Sequence, residues 1–352
     1  MLNVAVVGGG IGQSHIEEGY VPNHDRFRVM ALCDIDADRG IRVAREMVVP
    51  RCVTKFADIL AMKDIDLIDI CTPPFLHFEQ VQEGLMAGKH VICEKPLVGS
   101  LQEIDALADL ERRSGRRLMP IFQSRYGDGV QQVRQVIEAG MCGTPYLAVA
   151  QTYWHRGPDY YAVPWRGKLA TELGGTLVGH AIHSHDILTY LMGPIASLSG
   201  VVATRVNRIE TEDCFTVSGT LASGAPLSLS GTVGSHFEVT RLYLAFENVT
   251  FENDPDPHDH FSRPWRIVCA NDLIQAKVEA VRSTWKPIRP GFATQFRLFS
   301  DAIANGSALP VTIEDARRAV ELATAVYRSN KTGRQVSLPM ASTDVSYAGW
   351  MH

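Results

Sequence analysis

Two short motifs carry groups that could take part in a redox reaction on a small molecule. Residues 94–96, Glu-Lys-Pro, follow the apolar run 90–93 and place a charged amine at the end of a strand-like segment. Residues 8–12, Gly-Gly-Gly-Ile-Gly, directly follow the apolar run 4–7. A glycine run between a strand and a helix lets the backbone approach a pyrophosphate, and the helix N-terminus offers unpaired N–H groups to that anion. Together the motifs predict a dinucleotide site with a lysine beside it.

An acidic residue after the second apolar run predicts which nicotinamide cofactor is bound. Asp34 directly follows the apolar run 28–33. It lies roughly 20 residues after the glycine run, which is where dinucleotide-binding domains place a carboxylate that hydrogen-bonds the ribose hydroxyls. The same carboxylate would repel a 2′-phosphate, so the sequence favours NAD over NADP. Two other interpretations stay open. Asp34 could do no more than cap the helix 37–46. Arg39 could allow NADP to bind, although an arginine exposed to solvent on that helix is favoured.

Histidines in the segment 172–186 are candidates for acid–base chemistry. Oxidation of a secondary alcohol by NAD needs a base for the hydroxyl proton and a cation or donor that stabilises the alkoxide. Lys95 suits the second role. His180 and His183 share a helical face, and imidazole titrates near neutral pH, so we expect His183 to accept the proton and His180 to orient or bind the substrate.

The same histidines allow other interpretations. His180 and His183 have the i, i+3 spacing of metal ligands, but the sequence shows no third ligand and no HExxH motif, so no metal is predicted. His185 has a different helical phase and is expected to be structural. The segment 256–260 reads as a polar loop, with opportunistic metal binding as the alternative.

An aromatic segment, residues 153–166, precedes these histidines. Trp154 and Trp165 could stack on the C–H faces of a pyranose or on an aromatic aglycone, and Arg156 or Arg166 could bind a carboxylate or the cofactor. The alternative is a packed loop or a subunit contact, because tyrosine and tryptophan are also enriched at interfaces.

The order of predicted elements indicates an α/β fold with two domains. Residues 1–122 alternate apolar runs with amphipathic stretches, which is typical of βαβ units on a parallel sheet. Residues 123–352 form an α+β domain with a large, mostly antiparallel open sheet, whose C-terminal helices could pack back on the first domain. The predicted strands are 3–7, 28–33, 67–71, 90–93, 117–121, 145–153, 196–204, 213–221 and 226–233. The predicted helices are 12–20, 37–46, 74–87, 100–113, 128–139, 292–305 and 313–329.

Composition excludes several classes of protein. The 352 residues are 45% hydrophobic and 21% charged, which suits two globular domains with stable cores. A net charge of -5 argues against nucleic acid as a partner. Seven cysteines without CxxC spacing predict reduced thiols and a cytoplasmic location. No signal-like segment is found, and no apolar run reaches the ~18 residues of a membrane span.

Taken together, these motifs resemble the glucose-fructose oxidoreductase/inositol dehydrogenase/rhizopine-catabolism (Gfo/Idh/MocA) family over nearly the whole chain. The resemblance is carried by the glycine loop through His15, Cys71-Thr72-Pro73-x-x-x-His77, Glu94-Lys95-Pro96, Gly140-x-x-Gly143, Gly174-Gly175, His183-x-x-Asp186, and Asp315-Ala316 through Gly333.

The resemblance implies an N-terminal Rossmann domain, a polyol or sugar substrate and a Lys95–Pro96 bond that can be cis. The cofactor-binding residues that it implies are Gly8, Gly10, Ile11, Gly12, Asp34, Ile35, Thr72, Pro73, His77, Glu94 and Lys95. The expected substrate-binding residues are Arg125, Trp154, Arg156, Trp165, Arg166 and His180.

One position departs from the family pattern. An aspartate usually lies four residues before His183, and this chain has Gly179 there. His180, Asp186 or a water must then take over part of its role, or the substrate differs from an inositol.

The sequence therefore predicts a dehydrogenase that oxidises a secondary hydroxyl of a sugar, glycoside or cyclitol with NAD. One alternative is a net non-redox enzyme that retains NAD through oxidation, elimination and reduction, and another is a non-catalytic regulator that senses NAD or a sugar. The alternating strands of the second domain predict a homo-oligomer, either a dimer or a tetramer.

Overall fold

The chain folds into two compact units in a computed structural model that describes residues 1–257, 259 and 261–350. The first unit comprises Met1–Gln123 with Gly291–Arg317, and the second comprises Ser124–Pro290 with Arg318–His352. The first unit therefore includes a segment from late in the sequence. Among the described residues, no helix has the length and apolar character that crossing a membrane requires.

The first unit contains a six-stranded parallel sheet in the order β3-β2-β1-β4-β5-β6. Its strands are β1 Leu2–Val7, β2 Phe27–Cys33, β3 Arg51–Val53, β4 Leu67–Ile70, β5 His90–Cys93 and β6 Leu118–Pro120. All four residues of β4 are buried, as expected for a strand covered by helices on both faces. The strand order reverses between β1 and β4, and in such sheets ligands bind beyond the carboxyl ends of the strands at this point.

Helices cover this sheet. They are α1 Ile11–Ser14, which continues as a π-helix over His15–Tyr20, α2 Ala37–Glu46, α3 Phe56–Ala61, α4 His77–Met86, α5 Leu101–Ser114 and, from late in the chain, α10 Phe292–Asn305. Ser100 caps α5 by accepting from the backbone N–H of Glu103, and Gly115 ends that helix in the left-handed conformation. Gly19 packs so closely on α10 that an added Cβ would lie 2.4 Å from the ring of Phe296.

The second unit contains an eight-stranded sheet in the order β13-β12-β11-β7-β10-β9-β8-β14. It is antiparallel except where β10 pairs with β7. Its strands are β7 Pro145–His155, β8 Ile195–Ala203, β9 Cys214–Leu221, β10 Pro226–Thr232, β11 Gly234–Phe246, β12 Val249–Glu252, β13 Arg266–Cys269 and β14 Val336–Ser337. Its helices are α6 Asp128–Glu138, α7 Leu169–Glu172, a π-helix Thr176–His180, α8 Ile182–Met192, α9 Asp272–Arg282 and the later part of α11, which spans Ile313–Thr332.

The predicted fold class, a parallel α/β sheet followed by a mostly antiparallel α+β sheet, is confirmed. Every predicted strand and helix has a counterpart with shifts of a few residues at its ends. The prediction did not identify β3, β11, β12, β13, β14, α3, α7 or α9.

Candidate active site

The glycine loop of the first unit has the shape that a dinucleotide requires. Gly8 has φ +102°, and a Cβ on it would lie 2.6 Å from the carbonyl oxygen of Cys71. A Cβ on Gly12 would lie 2.7 Å from Val6, so this glycine lets the first helical turn pack on β1. A Cβ on Gly10 would meet no atom within 4 Å. The loop thus lies tight against the sheet at its two ends and leaves open space at its centre, where a pyrophosphate fits.

Asp34 lies at the end of β2 with its carboxylate already organised. It accepts hydrogen bonds from the backbone N–H of Gly9 at 2.8 Å and of Asp36 at 2.9 Å, and from Nε and Nη2 of Arg39, both at 2.7 Å. Burial acts to raise the pKa of Asp34, but these hydrogen bonds, led by Arg39, lower it below its ordinary value. The carboxylate is therefore fixed in the ionised form beside the loop.

Two sequence-based interpretations near Asp34 are wrong. Asp36, not Asp34, caps α2, since its side chain accepts from the backbone N–H of Arg39. Arg39 is not simply solvated, because its guanidinium pairs with Asp34. Ile35, predicted to bind cofactor, is 90% exposed beside this pair.

The loop after β4 and the Glu-Lys-Pro segment after β5 are tied together by His77. Its Nδ1 lies 2.8 Å from the carbonyl oxygen of Pro96, and its Nε2 lies 2.8 Å from that of Thr72. The ring is buried, and burial lowers the pKa of His77. The ring thus links the backbone of the two loops. Lys95 is half-buried, and the Lys95–Pro96 bond is cis.

Glu94 is buried and uses both carboxylate oxygens. Oε1 lies 3.0 Å from Nε2 of His15, and Oε2 accepts the backbone N–H of Lys95 at 3.0 Å. The other ring nitrogen of His15 lies 2.9 Å from Oδ2 of Asp69 on β4. The first unit thus brings the predicted glycine loop, Asp34 and the Glu-Lys-Pro segment to one edge of its sheet, and adds Asp69, which the sequence analysis did not identify.

In the second unit the aromatic segment forms a continuous stack of rings and guanidinium groups. The Arg156 guanidinium carbon lies 4.9 Å from the ring of Trp154 and 5.6 Å from that of Tyr160. The Arg166 guanidinium carbon lies 3.9 Å from the centre of the Tyr160 ring and 4.4 Å from that of the Trp165 ring. We call these five residues the aromatic–arginine stack. Each of the two guanidinium groups thus packs on two aromatic rings, an arrangement that favours cation–π attraction.

His180 lies against this stack. Its ring centroid is 5.4 Å from that of Trp154 and 5.5 Å from that of Tyr160, and the side chain is buried. The structure therefore brings together His180 and the predicted substrate residues Trp154, Arg156, Trp165 and Arg166. Tyr160 completes the group and was not among the predicted site residues, although it lies in the predicted segment.

Helix α8 carries the remaining candidates in different surroundings. His183 is half-buried. His185 is buried against Phe215, with ring centroids 5.5 Å apart, and burial lowers the pKa of His185 to about 3. Asp186 accepts from Nε of Arg125 at 2.7 Å and from Nη2 at 2.5 Å, with both side chains buried. Arg125, predicted to bind substrate, is thus bonded to α8.

A buried glutamate outside the predicted set holds the segment that carries His180. Glu212 accepts from the backbone N–H of Gly175 at 2.9 Å and of Leu177 at 2.8 Å, and from the hydroxyl of Tyr327. Burial raises the pKa of Glu212, and these hydrogen bonds act in the opposite direction. This side chain satisfies the N-terminal N–H groups of the π-helix, as a capping residue would.

Gly179 lies on the same π-helix with room for a side chain. A Cβ on it would meet no atom within 4 Å, so the backbone there leaves space for the first atom of a side chain. Among the described residues, one group of potential metal ligands exists, formed by His15, Asp69 and Cys71. Of the polar loop 256–260, His258 and His260 lie outside the described residues.

Comparisons with known proteins find matches in the sequences of both units. A sequence model described as "Oxidoreductase family, NAD-binding Rossmann fold" matches residues 2–122, and one described as "GFO/IDH/MocA C-terminal domain" matches residues 130–252. Inositol 2-dehydrogenase 3 of Saccharopolyspora erythraea is 32% identical over 193 residues, which are 54% of this chain and 54% of that protein. scyllo-Inositol 2-dehydrogenase (NADP(+)) IolW of Bacillus subtilis is 23% identical over 96% of each chain.

A solved structure shows the same fold. The WlbA dehydrogenase of Bordetella pertussis, in complex with NADH and UDP-GlcNAcA, aligns with a TM-score of 0.85 and 24% identity, covering 97% of this chain and 99% of that one. The glycine loop, the segment after β5 and the two matched domains lead to one conclusion: the chain belongs to the Gfo/Idh/MocA family of NAD-binding oxidoreductases, which act on CH–OH groups.

Proposed function

We propose that this enzyme oxidises a secondary hydroxyl of a sugar, glycoside or cyclitol to a ketone, with NAD preferred over NADP. The observation that carries the proposal is the second unit's grouping of His180 with the aromatic–arginine stack. Aromatic faces suit the C–H faces of a sugar ring, and guanidinium groups suit its oxygens. The family relatives named for inositol dehydrogenation support the substrate class.

The residues of the chain take distinct roles in this proposal. When bound, NAD would accept the hydride from the carbon that bears the hydroxyl. His183, half-buried on α8, accepts the hydroxyl proton, since a neutral imidazole suits a base near neutral pH. The Lys95 ammonium stabilises the developing alkoxide. His180 orients the substrate against the stack, and Arg125 acts through Asp186 as a positioning residue.

The preference for NAD rests on the carboxylate of Asp34. Its hydrogen bonds to Gly9 and Arg39 keep it ionised beside the loop, where it would accept from ribose hydroxyls and repel a 2′-phosphate. The relative IolW is named as an NADP(+) enzyme. The preference for NAD is therefore proposed from Asp34 of this chain and not from the relatives.

Location and assembly are also proposed. All seven cysteines are free thiols, which supports a reducing compartment such as the cytoplasm. A homo-oligomer, dimer or tetramer, is proposed from the large sheet of the second unit.

The test is NADH formation, followed by absorbance, with a panel of inositols, hexoses, uronic acids and aryl glycosides. Lys95→Ala should lower kcat about 100- to 1000-fold, the range found on loss of a group that stabilises developing charge. His183→Ala should cost about 100- to 10,000-fold, as for a general base. Lys63→Ala, which removes an exposed lysine of the first unit, is the matched control and should leave turnover unchanged.

Two results would overturn the proposal. Turnover of His183→Ala within a few-fold of wild type from about pH 6 to 9 would refute its role as base. Silence across the whole panel while NAD stays bound through purification would favour the net non-redox enzyme instead.

A further inference from the structure

A buried cluster of charged groups lies behind the Glu-Lys-Pro segment of the first unit. His15 comes from the helical segment after β1, Asp69 from β4 and Glu94 from the end of β5. Their side chains meet at 2.9 Å between Nδ1 and Asp69 Oδ2, and at 3.0 Å between Nε2 and Glu94 Oε1. Three elements that are distant in sequence thus converge on one imidazole ring.

The surroundings of His15 shield its ring from bulk solvent. His15 and Asp69 are 0% exposed and Glu94 is 7% exposed. The ring centroid of His15 lies 4.3 Å from that of Phe292 and 5.5 Å from that of Phe296, both on α10. Charges in such a site must be matched by partners within it.

The hydrogen bonds determine which group carries the proton. An ionised carboxylate can only accept, so two carboxylates on one imidazole require both ring nitrogens to donate, as in an imidazolium. Each carboxylate also receives another donor, since Asp69 accepts the hydroxyl of Tyr20 at 2.9 Å and Glu94 accepts the backbone N–H of Lys95. These extra donors favour ionised carboxylates over a protonated acid beside a neutral ring.

The remaining titratable group at the ring does not change this charge balance. The Cys71 sulfur lies 3.4 Å from Nδ1, and burial raises the pKa of its thiol to about 12, so the thiol is neutral. Burial acts to lower the pKa of His15, but the charge and hydrogen bond of Asp69 raise it well above the ordinary value. Burial acts to raise the pKa of Glu94, but His15 and Lys95 lower it to about 2.

We propose that His15 is a positioning residue, a permanent imidazolium that ties Glu94 to Asp69 and thereby fixes the peptide group of Lys95. The connection is continuous, from Asp69 through the ring to Glu94 and from Glu94 Oε2 to the backbone N–H of Lys95. Among the described residues, His15 is the one cation that contacts Asp69. The part of this inference that concerns catalysis rests on the proposed role of Lys95.

A metal ion is the competing occupant of this cluster. The ligand atoms of His15, Asp69 and Cys71 lie within 4.8 Å of one another. However, a zinc ligand needs a nitrogen lone pair, whereas Nδ1 of His15 lies 2.9 Å from a carboxylate oxygen of Asp69 and Nε2 lies 3.0 Å from one of Glu94, so both ring nitrogens already face hydrogen-bond acceptors. Direct hydrogen bonding therefore explains the geometry without an ion.

The protonation state is tested on the cofactor-free protein with histidine labelled at the ring carbons. We expect the His15 resonance, assigned by its loss in His15→Gln, to keep the shift of an imidazolium from about pH 5 to 9. A neutral shift, or titration within this range, would overturn the proposal. Zinc-dependent shifts of this resonance, reversed by EDTA, would show a metal site and would also overturn it.

The positioning role is tested by coupling between residues. His15→Gln should lower kcat about 10- to 100-fold with a smaller change in KM, the range expected on loss of a hydrogen bond between charged groups. Because His15 acts through Lys95, the double variant with Lys95→Ala should lose no more than Lys95→Ala alone. Losses that multiply would show a general structural role and overturn positioning.

The matched control is His90→Gln, at the opposite end of β5, where Nδ1 of His90 accepts the backbone N–H of Arg117 at 3.1 Å. It should leave kcat unchanged. If Lys95→Ala itself retains full activity, the proposed function fails while the resonance experiment still decides the charge of His15. That experiment uses the wild-type protein, so the proposal stays falsifiable even where His15→Gln does not fold.

Discussion

The buried pair between Arg125 and Asp186 offers a quantitative test of how helix α8 is held. The change Asp186→Asn keeps the shape of the side chain and removes its charge. The guanidinium of Arg125 then loses an anion that it contacts through two hydrogen bonds, at 2.7 and 2.5 Å. Because α8 also carries His183, the same change is expected to lower turnover.

The expected cost follows from burial. The side chains of Arg125 and Asp186 are 4% and 3% exposed. Removal of one partner from a pair buried to this degree destabilises a protein by about 3–5 kcal/mol, since the remaining charge is left without compensation. In the pair Arg134–Glu138 of α6, the side chains are 32% and 59% exposed, and a surface pair with this i, i+4 spacing contributes about 0.3–0.5 kcal/mol. The two carboxylates should therefore differ roughly tenfold in their contribution to stability.

The assay is equilibrium unfolding in urea, followed by tryptophan fluorescence. All five tryptophans lie in the second unit, so the signal reports on the unit that contains both pairs. Glu138→Gln is the matched control, because it makes the same carboxylate-to-amide change on an exposed helix. Equal m values for the variants would show that the same surface is exposed on unfolding.

Two measurements test whether burial sets the contribution of this ion pair to stability. A loss below about 1 kcal/mol for Asp186→Asn, similar to that for Glu138→Gln, would refute the argument from burial. The double variant Arg125→Met with Asp186→Leu should restore most of the stability, because apolar replacement of a buried ion pair is often neutral. The turnover of this double variant would then show whether catalysis depends on the two charges or only on how these side chains pack against α8.

Three further predictions concern the cofactor loop and the histidine helix. Arg39→Ala should raise the ratio of kcat/KM for NAD over NADP about tenfold. The Asp34 carboxylate then loses the cation that neutralises it and repels a 2′-phosphate more strongly. A ratio that stays constant or falls would contradict this. Gly179→Asp should fold with stability within about 1 kcal/mol of wild type, and its carboxylate, one turn from His183, should favour the imidazolium and move the acid limb of kcat up by about one pH unit. An unchanged limb would show that the two positions do not interact. Gly10→Ala should keep the melting temperature but weaken NADH binding measured by fluorescence, whereas Gly8→Ala, with φ +102°, should lower the melting temperature. Equal melting temperatures for these two variants would be inconsistent with the geometry of the loop.

The sequence was sufficient to predict the parts of the fold that are encoded locally. The glycines at 8, 10 and 12 and the acid at 34 lie at fixed distances from short apolar strands, and this spacing determines their place on a parallel sheet. Helix α2 was predicted at its observed limits, 37–46, because the turn before it and its amphipathic pattern are both local signals. Strand β3 was missed, since three residues at a sheet edge show no periodicity.

Contacts between distant segments could not be read from the sequence. Nothing near Glu212 indicates that it holds the N–H groups of Gly175 and Leu177, because that role depends on how strands and helices pack. The same holds for Asp69, which looks like an ordinary strand residue until His15 is placed beside it. The two π-helices were also missed, since one extra residue per turn leaves the apolar pattern almost unchanged.

The late segment 291–317 of the first unit determines the order in which this protein can mature during translation. The rings of Phe292 and Phe296 cover His15, so the nucleotide-binding unit has an open core until α10 leaves the ribosome. Residues 124–290, which belong to the second unit, must be synthesised before that happens. A nascent chain halted after residue 123 would expose to water the apolar surface and the charge cluster that α10 covers, so we expect it not to fold as an autonomous domain.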